Sequence, residues 1–277
     1  MKRLGRPISV IALTLLALAL YAFWLELSRL RVVDHDVAVG GDWATPEHPL
    51  RIAVIADLHA GAPYIDEAKI ERVVALTNAQ RPDLILLTGD YVIQGVVGGN
   101  HISIERTATE LNALSAPLGV FAVIGNHDRW ENAEHIRRVL ESVGIRVLED
   151  RSVKIVHNDR SFHLVGLSDV FTAVPKIASA LADVPEDGRA LCFTHSPDIF
   201  PALPEACALT IAGHTHGGQL WLPLIGPPVV PSQYGQRYAA GLVRENRKIL
   251  FVSTGIGTSI IPIRFGVVPE ISMLKIM

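Results

Sequence analysis

Five short apolar runs in this chain of 277 residues end alike, each in a polar cluster that holds a carboxylate or an imidazole, and this repetition most narrows the possible folds. Residues 51–56 lead into Asp57-Leu58-His59, residues 83–87 into Thr88-Gly89-Asp90, and residues 119–124 into Gly125-Asn126-His127-Asp128. Residues 190–194 lead into His195-Ser196-Pro197, and residues 208–212 into Gly213-His214-Thr215-His216-Gly217-Gly218-Gln219. Continuous aliphatic runs of this length fit strands buried on both faces. In α/β sheets, functional groups collect on the loops that follow the strands.

Helical patterns separate the first runs. Ile70, Val73, Val74 and Leu76 predict a helix over 66–79, and others are expected over 103–114, 130–142 and 176–181. Beyond Gly144 come short β-type runs over 146–148, 153–156 and 162–167, with Asn158-Asp159 as a hairpin turn, so antiparallel pairing is expected there. Residues 219–222, 238–244, 249–253 and 271–276 read as closing strands.

Residues 8–25 carry no charge, follow Lys2, Arg3 and Arg6, and close on Tyr21, Phe23 and Trp24. As a helix at about 1.5 Å per residue they span roughly 27 Å, enough for a bilayer crossing, with the aromatics at headgroup level. The run is long for a signal peptide and no small-x-small cleavage site follows, so residues 1–27 read as an uncleaved single-pass anchor. Residues 28–49 read as a linker with one edge strand over 37–39, and residues 50–277 as the catalytic domain. Arg29 and Arg31 follow the span, so the Lys and Arg count gives a slight preference for an inside N-terminus and a domain outside the cytoplasm.

Composition fits one sizeable domain plus a membrane segment: 49% hydrophobic, 19% charged, mean hydropathy +0.31. A net charge of −3 and no stripe of Lys and Arg argue against nucleic acid as a partner. Cys192 and Cys207 are too few for a disulfide framework and not spaced as a zinc motif; they read as two buried small apolar side chains, with a disulfide between them left open.

Carboxylates and imidazoles gathered at strand ends suit divalent metal ions. In their order, Asp-x-His, Gly-Asp, Gly-Asn-His-Asp, a lone His and Gly-His-x-His, from Asp57 to His216, the chain resembles the calcineurin-like metallophosphoesterases. That resemblance implies a four-layer αββα sandwich, two mixed sheets face to face with helices outside and two metals at one edge. It implies Asp57, His59 and His216 as ligands of the first ion, Asn126, His195 and His214 as ligands of the second, and Asp90 as the bridge. Oxygen and imidazole donors without thiolate suit Mn, Fe or Zn and do not choose among them. His127, next to a ligand, is then free to stabilise the transition state or protonate the leaving oxygen, with Asp128 orienting its ring. Taken singly, Asp57 or Asp90 also fits a helix N-cap, and His195 a satisfied core histidine. His35, His48, His101, His135, His157 and His163 are expected at the surface or in hairpins.

Towards the C-terminus, Gly217-Gly218-Gln219, Ser253-Thr254-Gly255-Ile256-Gly257-Thr258, Ile263-Arg264-Phe265-Gly266 and Pro269-Glu270 resemble a bacterial branch with an N-terminal membrane segment. Its members are described as phosphodiesterases, and some resemble UDP-2,3-diacylglucosamine pyrophosphohydrolases of lipid A synthesis. The implied substrate is a phosphodiester or pyrophosphate, of a small molecule or a membrane lipid, at the bacterial inner membrane. A phosphomonoesterase (protein phosphatase or nucleotidase) and a non-catalytic binding protein remain open, as does the oligomeric state. Arg264 fits either a bidentate substrate phosphate contact or a salt bridge that closes the fold. Residues 220–231, too broken by proline for a long strand or helix, are expected as a loop near the metals. Its apolar side chains either face acyl chains or pack on the sheet edge.

Overall fold

The computed structural model describes residues 5–40, 44–185 and 188–277; Lys2 and Arg3, which enter the topology count, lie outside these. Helix α1 (Gly5–Leu20) continues through a π-helical turn (Tyr21–Leu25) into the short α2 (Glu26–Ser28). The stretch Val10–Ser28 is long and apolar enough to cross a membrane, with mean hydropathy 2.2. Its lower end is built into the domain. Leu27 is buried, and Lys69 Nζ donates to the carbonyls of Ser28 (2.7 Å) and Arg29 (2.9 Å).

The first sheet contains β1 (Arg31–Val37), β2 (Leu50–Ile55), β3 (Leu84–Leu87), β4 (Val120–Ala122), β5 (Arg146–Val147) and the C-terminal strand β12 (Glu270–Ile276), in the order β1-β12-β2-β3-β4-β5. Helices α3 (Glu67–Ala79), α4 (Ile104–Leu111) and α5 (Asn126–Ser142) alternate with its parallel strands β2 to β5. The second sheet holds β6 (Arg151–His157), β7 (Arg160–Gly166), β8 (Ala190–Phe193), β9 (Cys207–Ala212), β10 (Gly241–Glu245) and β11 (Lys248–Val252), in the order β10-β11-β9-β8-β7-β6. Each sheet mixes parallel and antiparallel pairs, and β6 and β7 form the expected hairpin across Asn158-Asp159, both in the left-handed region.

Strand periodicity places the layers, because successive side chains point to opposite faces. Ile52, Val54, Leu84 and Leu86 meet Leu164, Leu191, Phe193, Leu209 and Ile211 of the second sheet in the central core. Their neighbours Ala53, Ile55, Ile85 and Leu87 meet Ile70, Val73, Leu111, Ile136 and Leu140 on the helices. The outer face of the second sheet is covered by α6 (Ile177–Ala180) and the 3₁₀ turn Pro197–Ala202.

Several boundaries differ from expectation for identifiable reasons. The edge strand expected over 37–39 forms earlier, as β1, and lies parallel to β12. The helix expected over 130–142 is preceded by a helical turn from Asn126, which the Asp128 carboxylate caps through the Gly125 N–H (2.9 Å), and the two pieces meet at a kink at Asn132 (φ −174°, ψ 89°). The strand expected over 219–222 reduces to a bridge between Leu220 and Phe265 and a turn in which Leu222 pairs with Gly226, as Pro223 and Pro227 supply no ladder donor. Tyr238 belongs to the 3₁₀ turn Gly235–Tyr238 and not to β10.

Of the alternatives for the cysteines, the structure takes the disulfide: Cys192 on β8 is bonded to Cys207 on β9, 15 residues apart. A loop of that size corresponds to about 3 kcal/mol of chain entropy removed from the unfolded state. Replacing both cysteines by alanine is expected to lower Tm on the order of 10 °C, measured calorimetrically against the reducible wild type.

Candidate metal centre

The five strand-end clusters meet at one edge of the two sheets. Asp57, His59, Asp90, His214 and His216 all hold positive φ, between 48° and 72°. For residues other than glycine that conformation is costly and persists where the surroundings enforce it. It turns each side chain out of its strand direction and towards the same point. Gly125 allows the closest approach: a Cβ there would lie 2.2 Å from Asp90 Oδ1.

The hydrogen bonds decide which ring nitrogens carry protons. A carbonyl can only accept, so His195 Nδ1, 2.8 Å from Thr88 O, is the protonated nitrogen of the neutral ring. Its Nε2 lone pair then points at Asn126 Oδ1 (2.9 Å) and Asp90 Oδ2 (3.3 Å), both acceptors. His216 Nδ1 faces Gly257 O at 3.3 Å, which turns its Nε2 lone pair on His59 Nε2 at 3.2 Å. His59 Nε2 also lies 3.4 Å from Asp90 Oδ2, and His214 Nδ1 lies 3.0 Å from His195 Nε2. The buried His59 Nδ1 and His214 Nε2 find no partner among the described residues. Converging lone pairs on buried side chains repel one another unless a cation or extra protons sit between them. The donor set therefore fits divalent metal. Three overlapping groups have ligand atoms within 4.8 Å of one another: Asp57, His59 and His216; His59, Asp90 and His127; Asp90, His195 and His214.

Without a cation the shifts divide: Asp57 and His195 are pushed toward their protonated forms, and His59, His214 and His216 toward the neutral ring. Burial pushes Asp57 up to about 7 and His59 down to about 3. Burial also lowers His214 to about 4 and His216 well below the usual histidine range. Burial opposes the charged forms of Asp90 and His195 too, but their mutual attraction outweighs it, so Asp90 is lowered and His195 raised.

His127 is placed differently. Its Nδ1 accepts the Gln94 N–H (3.3 Å), so the neutral ring carries its proton on Nε2. Its ring stands edge-on to His59 (4.8 Å) and Trp130 (4.9 Å), at the wall of a cavity of about 330 Å³ that Asp90, Asn126, His214 and His216 also line.

Two expected roles need correction. Asp128 does not orient His127: its carboxylate accepts the N–H groups of Asp90 (2.8 Å), Tyr91 (2.8 Å) and Gly125 (2.9 Å), pinning the Asp90 loop to the start of α5. Arg264 is fully buried, and its guanidinium donates to the carbonyls of Gly257, Thr254 and Val267; it reaches neither the cavity nor, among the described residues, a salt-bridge partner. Arg264→Lys is accordingly expected to lose about 1–3 kcal/mol of stability in denaturant titrations, with KM unchanged. A raised KM at full stability would restore the substrate role.

Sequence reasoning passed over Asp169, buried just beyond β7, whose charge acts on His195 and His214, and over Trp130 and Phe171, which wall the cavity. A strand-end search extended to β7 would have found Asp169.

Fold and site together define a metal-dependent phosphoester hydrolase. The sequence pattern described as calcineurin-like phosphoesterase matches residues 50–218, and the chain belongs to that family. Its relatives include the phosphodiesterase YaeI of Escherichia coli (strain K12), 34% identical over 259 residues, with 92% of this chain and 89% of that protein covered. The uncharacterized metallophosphoesterase YkuE of Bacillus subtilis (strain 168) is 27% identical, covering 92% of this chain and 88% of its own. A transmembrane protein with metallophosphoesterase domain from Danio rerio is 27% identical over 95% of this chain and 61% of its own length.

Proposed function

We propose that the protein is a membrane-anchored phosphodiesterase that hydrolyses a phosphodiester or pyrophosphate bond with two divalent cations. The observation that carries this is the convergence of buried carboxylate and imidazole atoms in three overlapping groups, Asp57, His59 and His216; His59, Asp90 and His127; Asp90, His195 and His214, each with its ligand atoms within 4.8 Å of one another. Asp57, His59 and His216 hold one cation, Asn126, His195 and His214 the other, and Asp90 lies between the groups. Bound there, the cations supply Lewis acidity toward the phosphoryl oxygens and a nucleophile at neutral pH. The His127 Nε2–H, facing the cavity, donates to the phosphoryl or leaving oxygen. Asp128 holds the Asp90 and Gly125 backbones in place, and Trp130 and Phe171 shape the walls that select the rest of the substrate.

The disulfide supports a domain outside the cytoplasm, since such bonds persist in oxidising compartments, and the charge count around the anchor leans the same way. The substrate is then an amphiphilic phosphodiester or pyrophosphate reachable at the outer face of the inner membrane; a nucleotide-linked precursor such as UDP-2,3-diacylglucosamine requires the opposite side. Alkaline phosphatase fused to the C-terminus is expected to be active, and an active cytoplasmic reporter there would reverse the side. For the reaction, bis(p-nitrophenyl) phosphate is expected to turn over faster than p-nitrophenyl phosphate in Mn²⁺, and neither after chelation. Preference for the monoester would make the protein a phosphomonoesterase, and inertness to both a binding protein.

A further inference from the structure

The anchor meets the domain at Arg264 and Phe265. Arg264 N–H donates to Ala22 O (3.1 Å), and the ring of the next residue, Phe265, stands edge-on to Tyr21 at 5.8 Å. Phe265 in turn accepts the Trp221 N–H (2.7 Å) and donates to Gln219 O (2.9 Å). The turn of helix that carries Tyr21, Phe23 and Trp24 is thus joined by one residue to the start of the 220–231 loop.

That loop is a built turn. Leu222 and Gly226 exchange backbone hydrogen bonds (3.1 and 2.9 Å), and Gln236 Nε2 holds the carbonyls of Ile225 (3.2 Å) and Pro227 (3.0 Å). Its backbone is tied down while its apolar side chains stand out, Leu224 completely and Ile225 by 63%. Gln219 links it to a second turn, with Oε1 accepting Ser259 N–H (2.7 Å) and Nε2 donating to Ile261 O (3.1 Å). There Ile260, at φ 63°, is 69% exposed and lines the cavity above the candidate ligands. No Asp, Glu, Lys or Arg occurs from 217 to 236 or from 249 to 263.

Exposed aliphatic side chains on two ordered, uncharged turns mark a contact surface. The occupant follows from the neighbour: Val10, Leu13, Leu16 and Trp24 of the adjoining helix are equally exposed, and a bilayer is what covers such a helix. We propose that residues 222–226 and 259–261 form a second, interfacial contact with the bilayer that holds the anchor, so that the cavity opens at the membrane surface. This rests on the anchor assigned above and not on the chemistry of the site.

The test uses the full chain in phosphatidylcholine vesicles, with the native tryptophans replaced by phenylalanine and one new tryptophan introduced. Leu224→Trp reports on the turn, and Val156→Trp, exposed on β6 in the edge of the second sheet, is the reference. In vesicles with brominated acyl chains the 224 probe is expected to lose emission several-fold relative to unbrominated vesicles, while the 156 probe stays bright. Equal brightness of the 224 probe in both vesicles overturns the contact, and so does equal quenching of both probes. A chain that does not float with vesicles removes the anchor and the contact together. Hydrolysis by the unaltered chain is scored separately, so quenching without hydrolysis leaves the contact standing and sinks only the enzymatic reading.

Discussion

Asp90→Asn is expected to empty the site and stop hydrolysis together, a larger effect than any other single change of a candidate ligand. Asp90 Oδ2 lies 3.4 Å from His59 Nε2 and 3.3 Å from His195 Nε2, so one oxygen faces both halves of the donor set. The imidazoles around it would be neutral as ligands, and Asn126 is neutral always; among the candidate ligands the negative charge comes from Asp90 and Asp57. Were two cations bound as proposed, they would repel, and a carboxylate facing both would offset that repulsion. Asparagine keeps the shape and leaves an oxygen for the His127 N–H, now 2.9 Å from Asp90 Oδ1, so the fold should survive. Activity should fall by more than the roughly 10–100-fold that loss of a supporting partner costs a metal site. Elemental analysis and the rate on bis(p-nitrophenyl) phosphate measure the two together. Full metal content with an unchanged rate would remove Asp90 from the centre.

The same residues show what a sequence discloses and what it withholds. The types of the candidate ligands, their order and their place after strands were legible, because each strand is a largely apolar run and the polar cluster at its end has no role in the core. The strained backbone at Asp57, His59, Asp90, His214 and His216 leaves no mark on composition, yet it is what turns these side chains inward. The roles of Asp128 and Arg264 were misjudged for a shared reason. Both side chains bond to backbone groups of loops, Asp128 to N–H groups at 90, 91 and 125 and Arg264 to carbonyls at 254, 257 and 267. Every residue has such groups, so no pairing of side-chain types announces them. The extra helical turn of α5 ahead of the Asn132 kink comes from the same contact, since the Asp128 carboxylate at Gly125 caps it. The prolines of the 220–231 loop exclude a long strand or helix, but only the contacts of Phe265 reveal that it adjoins the N-terminal helix.

His127→Ala should separate what Asp90→Asn joins: metal retained, rate lost. Gln94 N–H donates to His127 Nδ1 at 3.3 Å and fixes the proton of the neutral ring on Nε2, which makes the ring a donor toward the cavity and denies it a free lone pair there. A first-row cation needs that lone pair, whereas a phosphoryl or leaving oxygen needs the proton. Loss of a general acid costs about 10²–10⁴ in rate. The loss should depend on the leaving group. p-Nitrophenolate departs without help, so its diester should lose least, and an alkyl phosphodiester, whose alkoxide must be protonated, should lose most. Equal losses on both would assign His127 to the phosphoryl oxygens, where charge develops whatever group departs. The rival role, metal ligation, has a structural basis too, since a ring nitrogen of His127 lies within 4.8 Å of the His59 and Asp90 donor atoms. If His127→Ala comes out of elemental analysis short of metal, the wild-type ring must carry its proton on Nδ1 and offer Nε2 to the cation, and His127 moves from donor to ligand.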